Sequence, residues 1–347
     1  MVRFAVMASV IYRDDVVLAP PQQDTWPSAL AGAIRDPAEL CRLLGLDQSL
    51  ATGAGQAATD FPLLVPRTFT ERIRPGDPAD PLLLQVLPQR CELADVPGYR
   101  ADPLAERAAA SAPGLLQKYS GRSLIVATRR CGVHCRYCFR RHFPAAASPH
   151  KSEAWGPALC RIAGDESIRE VILSGGDPLT LPDSSLSRLA MRLADIPHVR
   201  RLRVHSRMPV VSPQRVTGEL LAWLRGTRLS TLMVVQVNHP AEIDGAVAAA
   251  LGRLIESGVP VLCQSVLLRG INDSPDVLAE LCERLIDLRV MPYYLHQLDR
   301  VAGAAHFEVP EATGIGLIEQ LRARLPGYAV PRYVRETPGA AGKVILA

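Results

Sequence analysis

From Ser123 onward, short runs of apolar and β-branched residues alternate with longer stretches whose apolar positions recur three and four apart. The first pattern predicts strands and the second amphipathic helices. Strands are expected over Ser123–Thr128, Glu170–Ser174, Arg201–His205, Thr231–Val237, Pro260–Val266 and Val290–Leu295, with helices such as Ser184–Ala194, Ile243–Ser257 and Pro275–Leu288 between them. After a first, longer interval the strand starts recur about every 30 residues, the length of one βα unit. Six such units predict an α/β fold, a partial (β/α)6 barrel of the TIM type that does not close, over residues 121–347.

Ahead of residue 121 the pattern changes. Asp36 to Leu46 opens with a capping-type Asp-Pro-Ala-Glu and carries Leu40, Leu43 and Leu44 on one helical face, with Trp26 set to pack beneath it. Frequent prolines between Val65 and Leu82 allow only short helices and turns. Residues 1–120 therefore read as a helical, proline-rich extension. Phe4 to Tyr12 mimics a signal sequence, but it lacks a small-residue cleavage site and is too short to span a bilayer. An early strand or a loosely packed extension is expected there.

Composition sharpens this only in part. With 347 residues, 48% of them hydrophobic, the chain can bury the core of one barrel-sized domain with an appendage. Lys+Arg 39 against Asp+Glu 35 leaves +4, spread along the chain, which is no nucleic-acid footprint. Five of the eight cysteines (Cys41, Cys91, Cys160, Cys263, Cys282) stand singly in apolar surroundings and read as small hydrophobes.

The other three carry chemistry. Cys131-Gly-Val-His-Cys135-Arg-Tyr-Cys138 spaces them C-x3-C-x2-C, and Arg129, Arg130, Arg136, Arg140 and Arg141 crowd the segment, where thiolates and an anionic substrate would need compensation. Three thiolates so spaced can hold an iron-sulfur cube while one iron keeps no protein ligand. A structural zinc site is the alternative, with His134 or His142 as a fourth ligand, yet zinc sites close in pairs and no second pair exists in the chain. Cluster ligands of this kind imply a reduced cytoplasm.

The spacing, with the aromatic Tyr137 just before the third cysteine, resembles radical S-adenosylmethionine (SAM) enzymes. Ser174-Gly-Gly-Asp-Pro178, following a predicted strand, resembles the glycine motif with which such enzymes hold the SAM amino group. The resemblance assigns the backbone of Gly175 and Gly176, with Asp177, to SAM. His205, Ser206, Gln236 and His239 fall at strand ends where they would line the same pocket, although a strand-end histidine is commonly structural.

Glu336-Thr-Pro338-Gly-Ala-Ala-Gly342-Lys343 ends the pattern: a lysine in a glycine-rich loop is either solvated or a Schiff-base lysine. From about Trp26 to Lys343 the chain resembles the lysine 2,3-aminomutase family. The matching text includes Leu115–Tyr119, Cys131–Arg141, Leu173–Leu179, His205–Val211, Val237–Glu242, Gln264–Asp273 and Met291–Asp299. The resemblance implies a [4Fe-4S] cluster on Cys131, Cys135 and Cys138, SAM on its open iron, and pyridoxal 5'-phosphate (PLP) on Lys343. It also places Arg122 at the PLP phosphate, Arg140 at the substrate carboxylate and Asp299 at the lysine side-chain ammonium.

Glu336 stands where the long catabolic members have aspartate, one methylene further out. This, with Phe139-Arg-Arg-His-Phe-Pro144 and Tyr294-Leu-His296, resembles the shorter aminomutase that supplies (R)-β-lysine for modifying elongation factor P. Expected partners are L-lysine, a reducing electron donor and, functionally, elongation factor P with its lysyl-ligase. Neither direct nucleic-acid contact nor a membrane is expected, and homo-oligomerisation is left open. Competing readings are a catabolic aminomutase, a glycyl-radical activase without PLP, and a zinc-bearing translation-associated binding module.

Overall fold

In the computed structural model, which describes residues 25–143 and 155–347, ten strands form one sheet whose spatial order follows chain order. They are β1 (Ala110–Ala112), β2 (Leu115–Tyr119), β3 (Arg122–Thr128), β4 (Glu170–Gly175), β5 (Arg201–Ser206), β6 (Ser230–Gln236), β7 (Val261–Val266), β8 (Met291–His296), β9 (Arg332–Arg335) and β10 (Val344–Ile345). Neighbours from β3 to β9 run parallel, while β1, β2 and β10 add antiparallel pairs at the two edges.

Parallel neighbours need crossovers, and amphipathic helices supply them. Asp183–Ala194 buries Leu186, Leu189, Ala190 and Leu193. Gly245–Glu256 buries Val247, Ala250, Leu251 and Leu254, and Pro275–Asp287 buries Leu278, Leu281, Cys282 and Leu285. Three- and four-residue spacing thus turns one face of each helix inward.

The six predicted strands are all present within a residue or two, and the chain forms the expected partial α/β barrel. Its sheet is wider than expected. β9 is a seventh parallel strand, missed because Arg332-Tyr-Val-Arg335 is too short and too charged to show a period. β1 and β2 lie within the stretch expected to be helical, and β2 pairs antiparallel with β3, so the sheet crosses the 120/121 boundary.

The extension does contain short helices, among them Trp26–Ala31, Pro37–Leu43, Gln48–Asp60 and Pro81–Leu84. Asp36 caps the second, accepting from the Ala38 N–H at 2.9 Å. Leu40 and Leu44 are buried as expected, but Leu43 is 52% exposed, so the apolar face is narrower than its sequence suggests. Trp26 packs on the main core, where the Arg215 guanidinium lies over its ring at 4.6 Å. That core is continuous from Leu40, Phe69 and Leu82 of the extension to Ile125, Leu173 and Leu202 of the sheet. Phe4–Tyr12 lies outside the described residues. Among the described residues, no helix is long and apolar enough to cross a membrane.

One buried charge pins the helix after β4 to the segment after β5. Arg215 is fully buried and forks onto Asp183 at 3.0 and 2.8 Å, while also donating to the Leu179 carbonyl at 2.6 Å. Asp183 accepts from the Trp223 indole at 2.9 Å as well. Asp183→Ala would strand that guanidinium, and a loss of about 3 to 5 kcal/mol is expected. Urea unfolding checks it: the midpoint should fall with an unchanged slope, and an unmoved midpoint would refute the role given to this pair.

Candidate active site

A cavity of about 300 Å³ lies against the sheet, walled by Lys118 of β2, Arg122 and Ser123 of β3, Arg203 and His205 of β5, Gln236 of β6, and Tyr294 and His296 of β8. The loop after β3 brings Cys135, Tyr137, Cys138 and Arg140 to it, and the segment joining β9 to β10 brings Glu336 and Lys343. Topology explains the meeting. β9 is parallel to the barrel strands and β10 returns antiparallel with Val344 opposite Arg335, so Lys343 faces Glu336 across the hairpin. Lys343 Nζ donates to Glu336 Oε2 and sits 5.8 Å from the centre of the Tyr294 ring.

Cys131, Cys135 and Cys138 are all free thiols and partly buried. Burial, with the neighbouring Cys135, pushes the Cys138 thiol up to about 11, and burial with Cys138 raises Cys131 well above its ordinary value. Such thiols give up their protons when a metal group arrives. Among the described residues, no three His, Cys, Asp or Glu side chains gather as ligands of a single metal ion. An iron-sulfur cube offers a different iron to each thiolate, so its ligands need not converge on one point.

Two arginines of this loop have carboxylate partners the sequence did not show. Arg136 is fully buried and forks onto Glu92 at 2.9 and 2.6 Å, and Arg141 reaches the same carboxylate at 2.7 Å. Both guanidiniums also lie over the Phe61 ring. They tether the loop to the extension, and the charge of Arg141 still favours the Cys138 thiolate. His134 and His142, the zinc candidates, are held by the carbonyls of Pro62 and Ala302.

At the glycine motif the neighbouring loop comes very close. A Cβ on Gly175, which has φ +114, would lie 2.6 Å from the Thr128 carbonyl oxygen, and one on Gly176 would lie 2.3 Å from that of Arg130. Both glycines are therefore required for the loop after β4 to nest against the end of β3. Asp177 is likewise committed: its carboxylate accepts from Ser206 Oγ at 2.7 Å and from the N–H groups of Leu179, Arg207 and Met208. Ser206 is thereby used up as well. His239 does not line the cavity; its Nδ1 caps a short turn by accepting from the Ala241 N–H at 3.1 Å. Asp177, expected from sequence at the cofactor, thus holds the loop after β5, and His239, expected there too, engages Nδ1 in the turn.

Charges in the cavity form an alternating chain. Arg140 forks onto Glu106 at 2.7 and 2.8 Å and extends Nη1 toward Ser174 Oγ and the Gly175 carbonyl. Lys118 bridges Glu106 and Glu336, 3.1 Å from each, and Lys343 completes the series. Burial opposes ionisation of Glu336, yet the ammoniums of Lys343 and Lys118 win and hold it at about 2. Asp299 forms no ion pair among the described residues, and burial together with the Glu336 charge outweighs the more distant Lys343 and Lys118 and pushes it up to about 7.

Among the described residues, several buried polar groups in the wall lack a hydrogen-bond partner: Ser123 Oγ, His205 Nε2 and His296 Nε2, while Tyr119 Oη has only the Glu336 carboxylate beside it. Burial lowers His205 well below its ordinary value and His296 to about 3, so both rings are neutral. With Arg122, whose guanidinium stacks 4.6 Å from the Tyr119 ring, this set suits an anionic, oxygen-rich ligand group. Gln236 reaches the Tyr137 hydroxyl at 3.3 Å. Glu106 and Gln85, which also receives Tyr137, stand outside any recognisable motif. Lys118 and Arg207 fall inside motifs but have neighbours that sequence cannot show.

No family model matches the chain. It is 43% identical over 332 residues to L-lysine 2,3-aminomutase of Escherichia coli (strain K12), covering 95% of this chain and 97% of that protein. Against the Haemophilus influenzae protein of the same name it is 42% identical over 326 residues, covering 94% and 96%. The Clostridium subterminale L-lysine 2,3-aminomutase matches at 36% over 319 residues, 92% of this chain and 76% of that one. Among solved structures, Streptococcus suis SuiB bound to S-adenosylmethionine superposes with TM-score 0.47 and 12% identity, over 63% of this chain and 51% of that one. A radical SAM methyltransferase from Sphaerobacter thermophilus gives 0.44 and 20%, over 67% and 73%. Its identity to these curated relatives across nearly its whole length shows that the chain belongs to the L-lysine 2,3-aminomutase family of isomerases.

Proposed function

We propose that the protein is a radical SAM, PLP-dependent lysine 2,3-aminomutase that converts L-lysine to (R)-β-lysine, made for the modification of elongation factor P in the cytoplasm. The observation that carries the reading is a single cavity open to both Cys135 and Cys138 on one side and Lys343 on the other. Cys131, Cys135 and Cys138 would hold a [4Fe-4S] cluster, leaving an iron for SAM beside Tyr137, Gln236 and the Gly175–Gly176 backbone. Lys343 would hold PLP, with Arg122, Ser123 and Tyr119 available to its phosphate. When bound, these groups supply a carbon radical and an electron sink through which nitrogen moves from C2 to C3 of lysine.

The chain's own residues bind, orient and exclude water. Arg140 has Nε and Nη2 fixed by Glu106 and Nη1 directed at Ser174 Oγ and the Gly175 carbonyl, so a substrate carboxylate would meet a guanidinium already held in place and would take over Nη1 from these longer bonds. Asp299 ionises as an ammonium comes near, and Glu336 stands across from it as a second carboxylate. Neutral His205 and His296 can hydrogen-bond without adding charge. Leu116, Leu124, Val266 and Leu298 keep the walls apolar between these polar groups. Glu336 and the segments Phe139–Arg141 and Tyr294–His296 support the branch that makes the (R) isomer. A low-potential reductant completes the set of partners.

The direct test is anaerobic: protein reconstituted with iron and sulfide, then given SAM, PLP, dithionite and L-lysine. (R)-β-Lysine by chiral chromatography is expected, and its ligation to elongation factor P by the lysyl-ligase should follow. The (S) isomer would overturn the branch and no β-lysine the whole reading. Lys343→Ala should lose PLP absorbance while keeping wild-type iron and sulfide; retained absorbance would move the attachment point elsewhere.

Asp299 gives a pH signature. Its raised pKa of about 7 leaves it neutral below that pH and unable to attract an ammonium. KM for L-lysine should therefore fall about tenfold between roughly pH 6 and pH 8, as the ionised fraction climbs from about a tenth to nine tenths. Asp299→Asn should flatten that limb and raise KM by about 10- to 100-fold. A variant with the wild-type profile would remove Asp299 from substrate binding.

A further inference from the structure

Behind the cysteine loop, outside the cavity wall, Arg207 Nη1 donates to Cys135 Sγ at 2.7 Å. Its guanidinium is clamped on the other side, where Nη2 donates to Gln85 Oε1 at 2.7 Å and to Glu242 Oε2 at 2.8 Å. The rings of Phe69 and Tyr137 lie 5.5 and 5.8 Å from it, and its own backbone N–H is held by Asp177 at 2.7 Å. Glu242 is equally fixed, because Oε1 accepts from the Asn238 N–H at 2.8 Å, the His239 N–H at 3.1 Å and Gln85 Nε2 at 3.1 Å. Arg207 side-chain exposure is 5% and that of Glu242 is 0%.

A guanidinium held so tightly cannot swing out to meet a substrate. What it can do is keep a positive charge and an N–H on one cysteine sulfur, in a site where rings exclude water and screening is weak. Hydrogen bonds and charge at the sulfurs of an iron-sulfur cluster set its potential, because the reduced cluster carries one more negative charge. We infer that Arg207, clamped by Glu242 and Gln85, raises the reduction potential of the cluster through Cys135, as a positioning residue that touches neither substrate nor SAM. The inference rests on the cluster reading above. The step it governs moves one electron from an external low-potential reductant to the cluster, with no bond made or broken and no proton transferred.

The test uses full-length protein reconstituted anaerobically, without lysine. Iron and sulfide are counted, and the midpoint potential is read by electron paramagnetic resonance during a dithionite titration. Arg207→Gln should shift the oxidised-to-reduced ratio at fixed potential at least tenfold toward the oxidised cluster, about 59 mV for one electron. Arg207→Lys, which keeps the charge but cannot fork, should fall between that variant and wild type. Glu242→Gln removes a compensating negative charge and should shift the midpoint the opposite way. Equal midpoints in fully loaded variants would overturn the inference. Should Arg207→Gln fail to load iron, the same criterion applied to Arg207→Lys and Glu242→Gln decides. Wild-type protein that binds no cluster would overturn both this inference and the reading beneath it, whereas a loaded cluster with unmoved midpoints overturns this one alone.

Discussion

A guanidinium removed from water has to meet a carboxylate, and around the cysteine loop that requirement organises the molecule. Arg136 and Arg141 are met by Glu92, and Arg140 by Glu106. Both carboxylates belong to the segment that precedes the barrel. The barrel loop therefore cannot reach its observed form until the extension is in place, and the shared apolar core makes the same demand. Gln85 adds a third tie, since its side chain sits among Arg207, Glu242 and Asn238 at the ends of β5 and β6.

This coupling explains why the extension is not a detachable appendage. Its proline-rich passage forms no long helix, but short turns deliver individual polar residues into places that barrel loops leave incomplete. Asp80 caps the short helix Pro81–Leu84 by accepting from the N–H groups of Leu82 and Leu83, and that helix ends on Gln85. A local capping interaction thus fixes the residue that closes a polar network on the other side of the core.

The sequence spoke clearly where a repeat or a spacing carried the information. Strand and helix periods placed the barrel units, and C-x3-C-x2-C singled out the three thiols. It was silent where partners meet across the fold. Nothing around Glu92, Glu106 or Gln85 marks them, because their importance lies in which cation they face. Crowded arginines suggested compensation of thiolates, yet Arg136 and Arg141 turned to Glu92, and the arginine that does touch a cysteine sulfur lies far along the chain. Gly175 and Gly176 were read as a place of close approach to a ligand, and the neighbouring loop that also needs them bare of side chains is invisible in sequence. β9 went unseen because four residues with arginine at both ends carry no alternation.

The alternating run from Arg140 through Glu106, Lys118 and Glu336 to Lys343 has an implication of its own. Each carboxylate is shared between two cations, so the row behaves like a small ion exchanger with fixed capacity. Taking the charge off any one of these cations would leave its carboxylate a counter-ion short in a place where burial already opposes ionisation. The row therefore responds as a unit: a change at Lys343 is passed to Lys118 through Glu336, and to Arg140 through Glu106.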